Sequence, residues 1–478
     1  MLLHVNHFKD AKLPCRQFFN ALLRRTSSTM KQHPKPHNDE IDALWEQALN
    51  LHKRSHDDEA QKLYEKLLTI QPHAHAYYNL GTIFQKQEKL EEAIEMYEEA
   101  IALQLNHPNV YYNLGVIFKT QNRFEDAATL YEKVIALSPD HANAYTNLGN
   151  IRKEQNRLED AMAFYEKAIA LNPNNTNAHL NKSLILLAKG DLLEGFALYE
   201  KRRPARAFLK PTWNGVDSLV GKTLLIYSEQ GFGDTIQFCR YIEMVAKLGC
   251  MVIFEVAKPL LPLMRQLRGV SCFVEKGEAL PPFDVHCSLL SLPFAFQTTL
   301  ESIPSKENYL TADPQKVADW QKLLSGTKPK VGLVWSGSET NKGDAYRSIF
   351  LETLLASLPK GFEYICLQKE VRQSDHTALE NSPIRFFGEA LHDFSDTAAV
   401  CSLMDLVVSV DTSVAHLSAA LGKKTLVLLP FAPDWRWLLE RNDSPWYPTI
   451  QLLRQDTMDD WQSVLHQLNQ IFLNFERQ

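Results

Sequence analysis

Three triplets, Asn79-Leu80-Gly81, Asn113-Leu114-Gly115 and Asn147-Leu148-Gly149, recur every 34 residues, and no other feature constrains the fold of this chain so tightly. In step with them run Ala93, Ala127 and Ala161, and then Tyr97, Tyr131 and Tyr165. Small residues at fixed places let two helices touch closely, and the tyrosines are expected to fill the gap between neighbouring pairs. Pro72, Pro139 and Pro173 end the second helices, because proline has no amide to continue a helix. Near-ideal repeats are predicted over 74–107, 108–141 and 142–175. One repeat precedes them, with Ala48, Ala60, Tyr64 and Pro72 one residue out of step. Another succeeds them, with Ser183, Gly195 and Tyr199, before the pattern decays at Lys201-Arg202-Arg203-Pro204.

These are the marks of tetratricopeptide repeats, so an α solenoid is expected over 39–207, its decayed end a capping repeat docked on the next domain. The inner face of such a solenoid usually binds a peptide or protein. Asn79, Asn113, Asn147 and Asn181 fall at one equivalent place in the first helices. Either they form a ladder that holds a peptide backbone, or they only hydrogen-bond one repeat to the next.

Composition excludes more than it selects. A formal charge of −6 over 478 residues gives no electrostatic case for nucleic acid, and no run of about 18 apolar residues could span a membrane. Seven cysteines (Cys15, Cys239, Cys250, Cys272, Cys287, Cys366 and Cys401) are dispersed without a Cys-x-x-Cys pair, as in a reducing compartment, so a cytoplasmic location is expected. Residues 1–29 are basic and lack the apolar core of a secretory signal. A natural start at Met30 and a disordered extension over 1–38 are expected.

After a Pro- and Gly-bearing link the period changes to that of buried strands. Lys222–Ser228 is a strand, Glu229–Thr235 a glycine-rich turn and Ile236–Leu248 an amphipathic helix; further short strands complete a compact sheet over 208–312. Gly231 and Gly233 let the backbone approach a ligand and put Asp234 at the mouth of the sheet. Asp234 also fits a helix cap, with Gln237 reaching back, so catalyst and cap both stand. A second sheet is expected over 313–478, beginning at Lys330–Ser336 and ending in a tryptophan-rich tail and a closing helix. Within it Leu406–Val410, Ser413–Leu421 and Thr425–Leu429 read as strand, helix and strand, with left-handed Gly422 stopping the helix. Asp411, Thr412 and Ser413 then lie beyond the strand's carboxyl end, where a helix's first amides can hold a phosphate or be satisfied by these residues as caps. Lys342 and Arg347 come after the first turn of this sheet, as fixed cations for a phosphate or as part of a solvated loop.

Two facing sheets with these turns resemble a glycosyltransferase of GT-B architecture, two Rossmann-like domains. More narrowly, the chain resembles bacterial tetratricopeptide-repeat glycosyltransferases whose catalytic half is similar to the lipopolysaccharide heptosyltransferases. The motifs that carry this are Glu229–Phe238, Phe283–Pro293, Val331–Trp335, Ser409–His416, Pro430–Trp437 and Asp443–Pro448. The resemblance implies that Asp234 is general base on an acceptor hydroxyl, in an acceptor domain that also carries Gly231, Gly233 and His286. It implies that Asp411, Thr412, Ser413 and His416, with Lys342 and Arg347, bind the donor's diphosphate, and that Gln368 lies near the nucleotide base. The implied reaction uses a nucleotide-diphosphate sugar as co-substrate and inverts the sugar carbon. No cofactor or metal is expected, and no Asp-x-Asp motif is present. The repeats would recruit a protein acceptor. Two other readings stay open: an envelope-glycan or lipid-linked acceptor, and a scaffold without catalysis.

Overall fold

The structure, a computed structural model, describes residues 38–202, 206–339 and 343–475. The expected extension, the start at Met30 and the phosphate ligand Lys342 therefore lie outside the described residues. Two compact units divide at Ala178.

In the first unit helices pair in sequence: Asn38–Lys53 with Asp57–Ile70, Ala74–Lys86 with Leu90–Ala102, Pro108–Thr120 with Phe124–Leu137, and Ala142–Glu154 with Leu158–Leu171. A Cβ on Gly81 would fall 2.7 Å from the Tyr97 ring, and one on Gly149 would fall 2.6 Å from the Tyr165 ring. The tyrosines thus fill space inside their own repeat rather than between neighbours, and only the hydroxyl reaches outward. Asn79 Nδ2 donates to Tyr64 Oη at 2.9 Å and Asn113 Nδ2 to Tyr97 Oη at 3.3 Å, each partner lying in the preceding repeat. Asn147 departs from the pattern. Its Nδ2 turns to Tyr112 Oη at 3.2 Å and its Oδ1 accepts from Lys119 at 3.3 Å, while the Tyr131 hydroxyl is buried without a partner. Inter-repeat bonding is thus what these three side chains do in the free chain. Replacing Asn113 by Ala is expected to lower the solenoid's unfolding free energy by about 1 kcal/mol, the net value of one such bond, read by urea denaturation. No change would show that the bond contributes nothing.

The second unit contains two sheets. The first holds β1 (Thr223–Tyr227), β2 (Met251–Val256), β3 (Val270–Glu275) and β4 (Val285–Ser288), all parallel, in the order β3-β2-β1-β4. The second holds β5 (Lys330–Val334), β6 (Glu363–Cys366), β7 (Arg385–Phe386), β8 (Leu406–Val410), β9 (Thr425–Leu429), β10 (Asp443–Ser444) and β11 (Tyr447–Arg454). Its order is β10-β11-β9-β8-β5-β6-β7, parallel except for β10 on β11. Both orders are doubly wound: the chain leaves the central strand to one side and returns to the other, opening a crevice between β1 and β4 and between β5 and β8. The same pin fixes both crevices from below. Asp284 Oδ2 accepts from Thr223 N at 2.8 Å, and Asp405 Oδ2 from Lys330 N at 2.7 Å.

The division at Ala178 falls inside the stretch expected as solenoid, so its last helices belong to the second compact unit. Helix Leu192–Tyr199 buries Leu192, Phe196 and Tyr199 in the core of the first sheet, with Phe196 edge-on to Trp435 at 5.7 Å. The decayed repeat therefore packs with the sheets, as a cap should. The same core runs through Trp435, Trp437 and Trp446 to Val427 and Leu429 of β9, so the parts expected at 208–312 and 313–478 share an interior on one side. The tryptophan-rich tail is packing. The closing helix Trp461–Phe475 covers the other face of the second sheet with Val464, Leu465, Leu468 and Phe472. Among the described residues no helix is long and apolar enough to cross a membrane.

Candidate functional site

A cleft of about 900 Å³ opens at the carboxyl ends of the strands. It gathers Gly231, Gly233 and Asp234 from the turn after β1 with Arg347, Gln368, Asp411, Thr412, Ser413 and His416 from the second sheet. His286, expected on the acceptor side, is not among its lining residues. It stands inside β4 opposite Leu225, with its ring against Phe208 at 4.5 Å and Nε2 3.4 Å from Thr212 Oγ1. A residue within a strand cannot reach a crevice that lies beyond the strand's end.

The turn after β8 enters helix Ser413–Ala420, and Gly422 ends that helix at φ +76°. Thr412 holds the N-cap position without capping: its hydroxyl pairs with Ser409 Oγ at 3.1 Å. Among the described residues no internal acceptor meets the amides of Thr412 and Ser413. The positive end of the helix therefore faces the cleft with donors unpaired. Arg347 is anchored beside it, Nε to Asp344 Oδ1 at 3.0 Å and a terminal nitrogen to the Asp411 carbonyl at 2.8 Å. Gln368 acts as a brace between the ends of β5 and β6. Its Oε1 accepts from Trp335 N at 2.8 Å and Ser336 N at 3.3 Å, and its Nε2 donates to Ser336 Oγ at 3.0 Å. The side chain expected near a nucleotide base is thus engaged by the protein's own turns.

Helix Phe232–Phe238 opens at Gly231, earlier than expected, and the helical stretch predicted over 236–248 breaks into short segments. Asp234 is its third residue rather than its cap, and reaches back to Gly231 N at 2.9 Å. Gln237 does not reach back; it is buried with its amide unpartnered. The other oxygen of Asp234 pairs with Arg436, which also binds Asp434 at 2.7 Å. Where the two helices cross, a Cβ on Gly233 would lie 2.9 Å from His416 Cδ2, so only glycine fits. His416 Nδ1 lies 2.9 Å from Tyr447 Oη, and its ring stacks on Trp437 at 5.0 Å.

Burial raises the Asp234 carboxyl above the usual range, with Arg436 opposing the shift. Burial and the neighbouring Asp434 raise Asp411 as well. Asp434 keeps part of its surface exposed, and although desolvation acts on it too, Arg436 and its hydrogen bonds hold that carboxyl low. Burial, aided by Arg436, lowers His416 from 6.5 to about 3, so the ring is neutral at pH 7. A depressed folded value means that the unfolded chain takes up the proton first. The stability this provides is complete above pH 6.5 and is lost as pH falls toward 3. At about pH 5 the loss from this group is expected to reach about 2 kcal/mol. Urea unfolding of wild type and His416→Asn at both pH values reads it: the variant's acid loss is smaller by that amount, and equal losses would refute the assignment.

Arg436 and Asp434 line the cleft, and Tyr447 supports His416 from behind it, roles that the sequence alone does not assign. The available signal is a charged pair set between tryptophans in Asp434-Trp435-Arg436-Trp437, since a packing cluster has no need of buried charges.

Models of the tetratricopeptide repeat match residues 72–140, 112–176 and 164–196. Protein FlbA of Caulobacter vibrioides is 26% identical over 280 residues, covering 53% of this chain and 46% of that protein. The chain thus spans about half the length of the curated relative it matches. Among solved structures, MamA shares 23% identity over 32% of this chain and 91% of its own, with a TM-score of 0.30. PilF of Pseudomonas aeruginosa shares 23% over 36% of this chain and 81% of its own, with a TM-score of 0.32. YrrB, described as a TPR protein with an unusual peptide-binding site, shares 20% over 32% of this chain and 80% of its own, with a TM-score of 0.30. Residues 72–196 are an array of tetratricopeptide repeats, which suggests protein or peptide binding, and parallel sheets with helices come after it.

Proposed function

We propose that the chain is a glycosyltransferase of GT-B architecture that moves a sugar from a nucleotide-diphosphate donor to a hydroxyl, with the repeats recruiting a protein acceptor. One observation carries the reading: a half-buried carboxylate, Asp234, and the unpaired amides of Thr412 and Ser413 line the same cleft from two different sheets. Asp234 takes the proton of the acceptor hydroxyl, whose oxygen forms the new bond to the sugar carbon as the bond to the diphosphate breaks. Attack from the face opposite the leaving group inverts that carbon. The departing nucleoside diphosphate gains negative charge, which the helix amides and the cation Arg347 stabilise where it develops. His416, being neutral, supports the turn rather than adding charge. This mechanism assigns no step to a metal.

A thermal-shift panel of nucleoside diphosphates tests the reading first. Stabilisation that grows with ligand concentration supports it, because a ligand that binds only the folded chain raises the melting temperature. No response from any nucleotide would favour a scaffold whose sheets bind no donor. A glycan comparison of a deletion strain then separates acceptors: a lost protein glycan supports recruitment by the repeats, and an altered envelope glycan the alternative.

A further inference from the structure

Arg436 serves two carboxylates and still has a donor without a partner. It sits in the short turn Trp435–Trp437 with its guanidinium over the Trp435 ring at 4.4 Å. One terminal nitrogen binds Asp434 Oδ1 at 2.7 Å, and the other binds Asp234 Oδ1. Asp434 also accepts from the Arg436 backbone amide at 3.0 Å, so this end of the turn is doubly fastened. The residue is only 8% exposed, yet its Nε is unpartnered. It lines the cleft together with Thr412 and Ser413, whose amides are also unmet. A planar fork with an available donor, beside a helix N-terminus, matches a pair of phosphate oxygens. Arg347, by contrast, is tethered by Asp344 and the Asp411 carbonyl.

This arrangement conflicts with a permanently active base, because a carboxylate paired to a guanidinium is a weak proton acceptor. We propose that Arg436 is exchanged between two anions: it holds Asp234 while the donor is away and turns to the donor's diphosphate when that binds, with Asp434 as the pivot. The exchange frees an Asp234 oxygen for the acceptor's proton only once the donor is in place, so the donor binds before the acceptor reacts. The inference rests on the transferase reading, and its test separates the two.

The test measures binding of inorganic pyrophosphate to the full chain by calorimetry in wild type, Asp234→Asn, Arg436→Gln and the double variant. Removing the arginine is expected to weaken binding about 10-fold, and removing its competing carboxylate to tighten it about 10-fold, the scale of one charge-assisted contact. The double variant binds like Arg436→Gln alone, since without the arginine Asp234 has nothing to withhold. Unchanged or weaker binding by Asp234→Asn overturns the exchange. So does an equal tightening in the Arg436→Gln background, which is simple repulsion between Asp234 and the anion. If no variant binds pyrophosphate although all melt cooperatively, the transferase reading falls and the exchange falls with it. Should Arg436→Gln not fold, Arg436→Lys takes its place, keeping the charge without the fork. It is expected to bind more weakly than the arginine form, both with and without the Asp234→Asn change, and to gain less than wild type does from that change. An equal gain would overturn the exchange.

Discussion

Asp234→Asn is expected to lower turnover by at least about 100-fold, the usual contribution of a positioned base, with the fold intact. The assay is release of nucleoside diphosphate from whichever donor the thermal-shift panel nominates. Asparagine suits the test better than alanine. It keeps one of the two acceptor oxygens, enough for Gly231 N, so the helix start retains its partner while Arg436 is left with Asp434. The wild-type chain adds a second signature. The reaction needs the carboxylate, and burial raises Asp234 above the ordinary carboxylate value, so activity falls as pH drops through that raised value. A variant with full activity, or a wild-type profile without an acid limb, would remove Asp234 from the mechanism.

The largest stability effect is expected at Arg202, just past the last repeat helix. Its guanidinium binds Glu200 at 2.7 Å and also Glu229, whose side chain is 3% exposed, and it reaches Ser291 Oγ at 3.0 Å. Arg202→Met leaves Glu229 buried without its cation, and the expected cost is about 3–5 kcal/mol to the second unit. Glu229 begins the turn that carries Asp234, so the same variant is expected to loosen that turn. Calorimetry should resolve the second unit's transition from that of the solenoid, since two compact units need not melt together. A cost under about 1 kcal/mol would mean that the cluster behaves as an exposed pair. Arg202→Lys restores charge but not the two-pronged geometry, and is expected to fall between.

How much of the molecule is legible in its sequence depends on how far each signal reaches. The repeats are visible because Gly81, Gly115 and Gly149 must each meet a tyrosine 16 residues on, a constraint that recurs with every copy. The unit around Asp411 is visible because strands covered on both faces read as unbroken apolar runs, as Leu406–Val410 and Thr425–Leu429 do. Pairings between distant segments leave no such mark. Arg436 meets Asp234 across 202 positions, and nothing local to either residue announces the other. Register is equally silent. His286 lies in a motif that marks the first sheet, yet its place inside β4 turns it toward Phe208 and away from the cleft. Gln368 shows a third limit, because a polar side chain at a strand end looks the same whether it faces a ligand or its own backbone.

The buried tryptophans bear on how the cleft would open. Spreading the two sheets apart like a hinge would wet Trp437 and Trp446, both fully enclosed in the interior the sheets share. Exposing two such rings costs on the order of 10 kcal/mol, more than substrate entry could offset on each cycle. The aperture is therefore set by the fold, and on the proposed reading access to the cleft would fall to side chains that swing rather than to lobes that part.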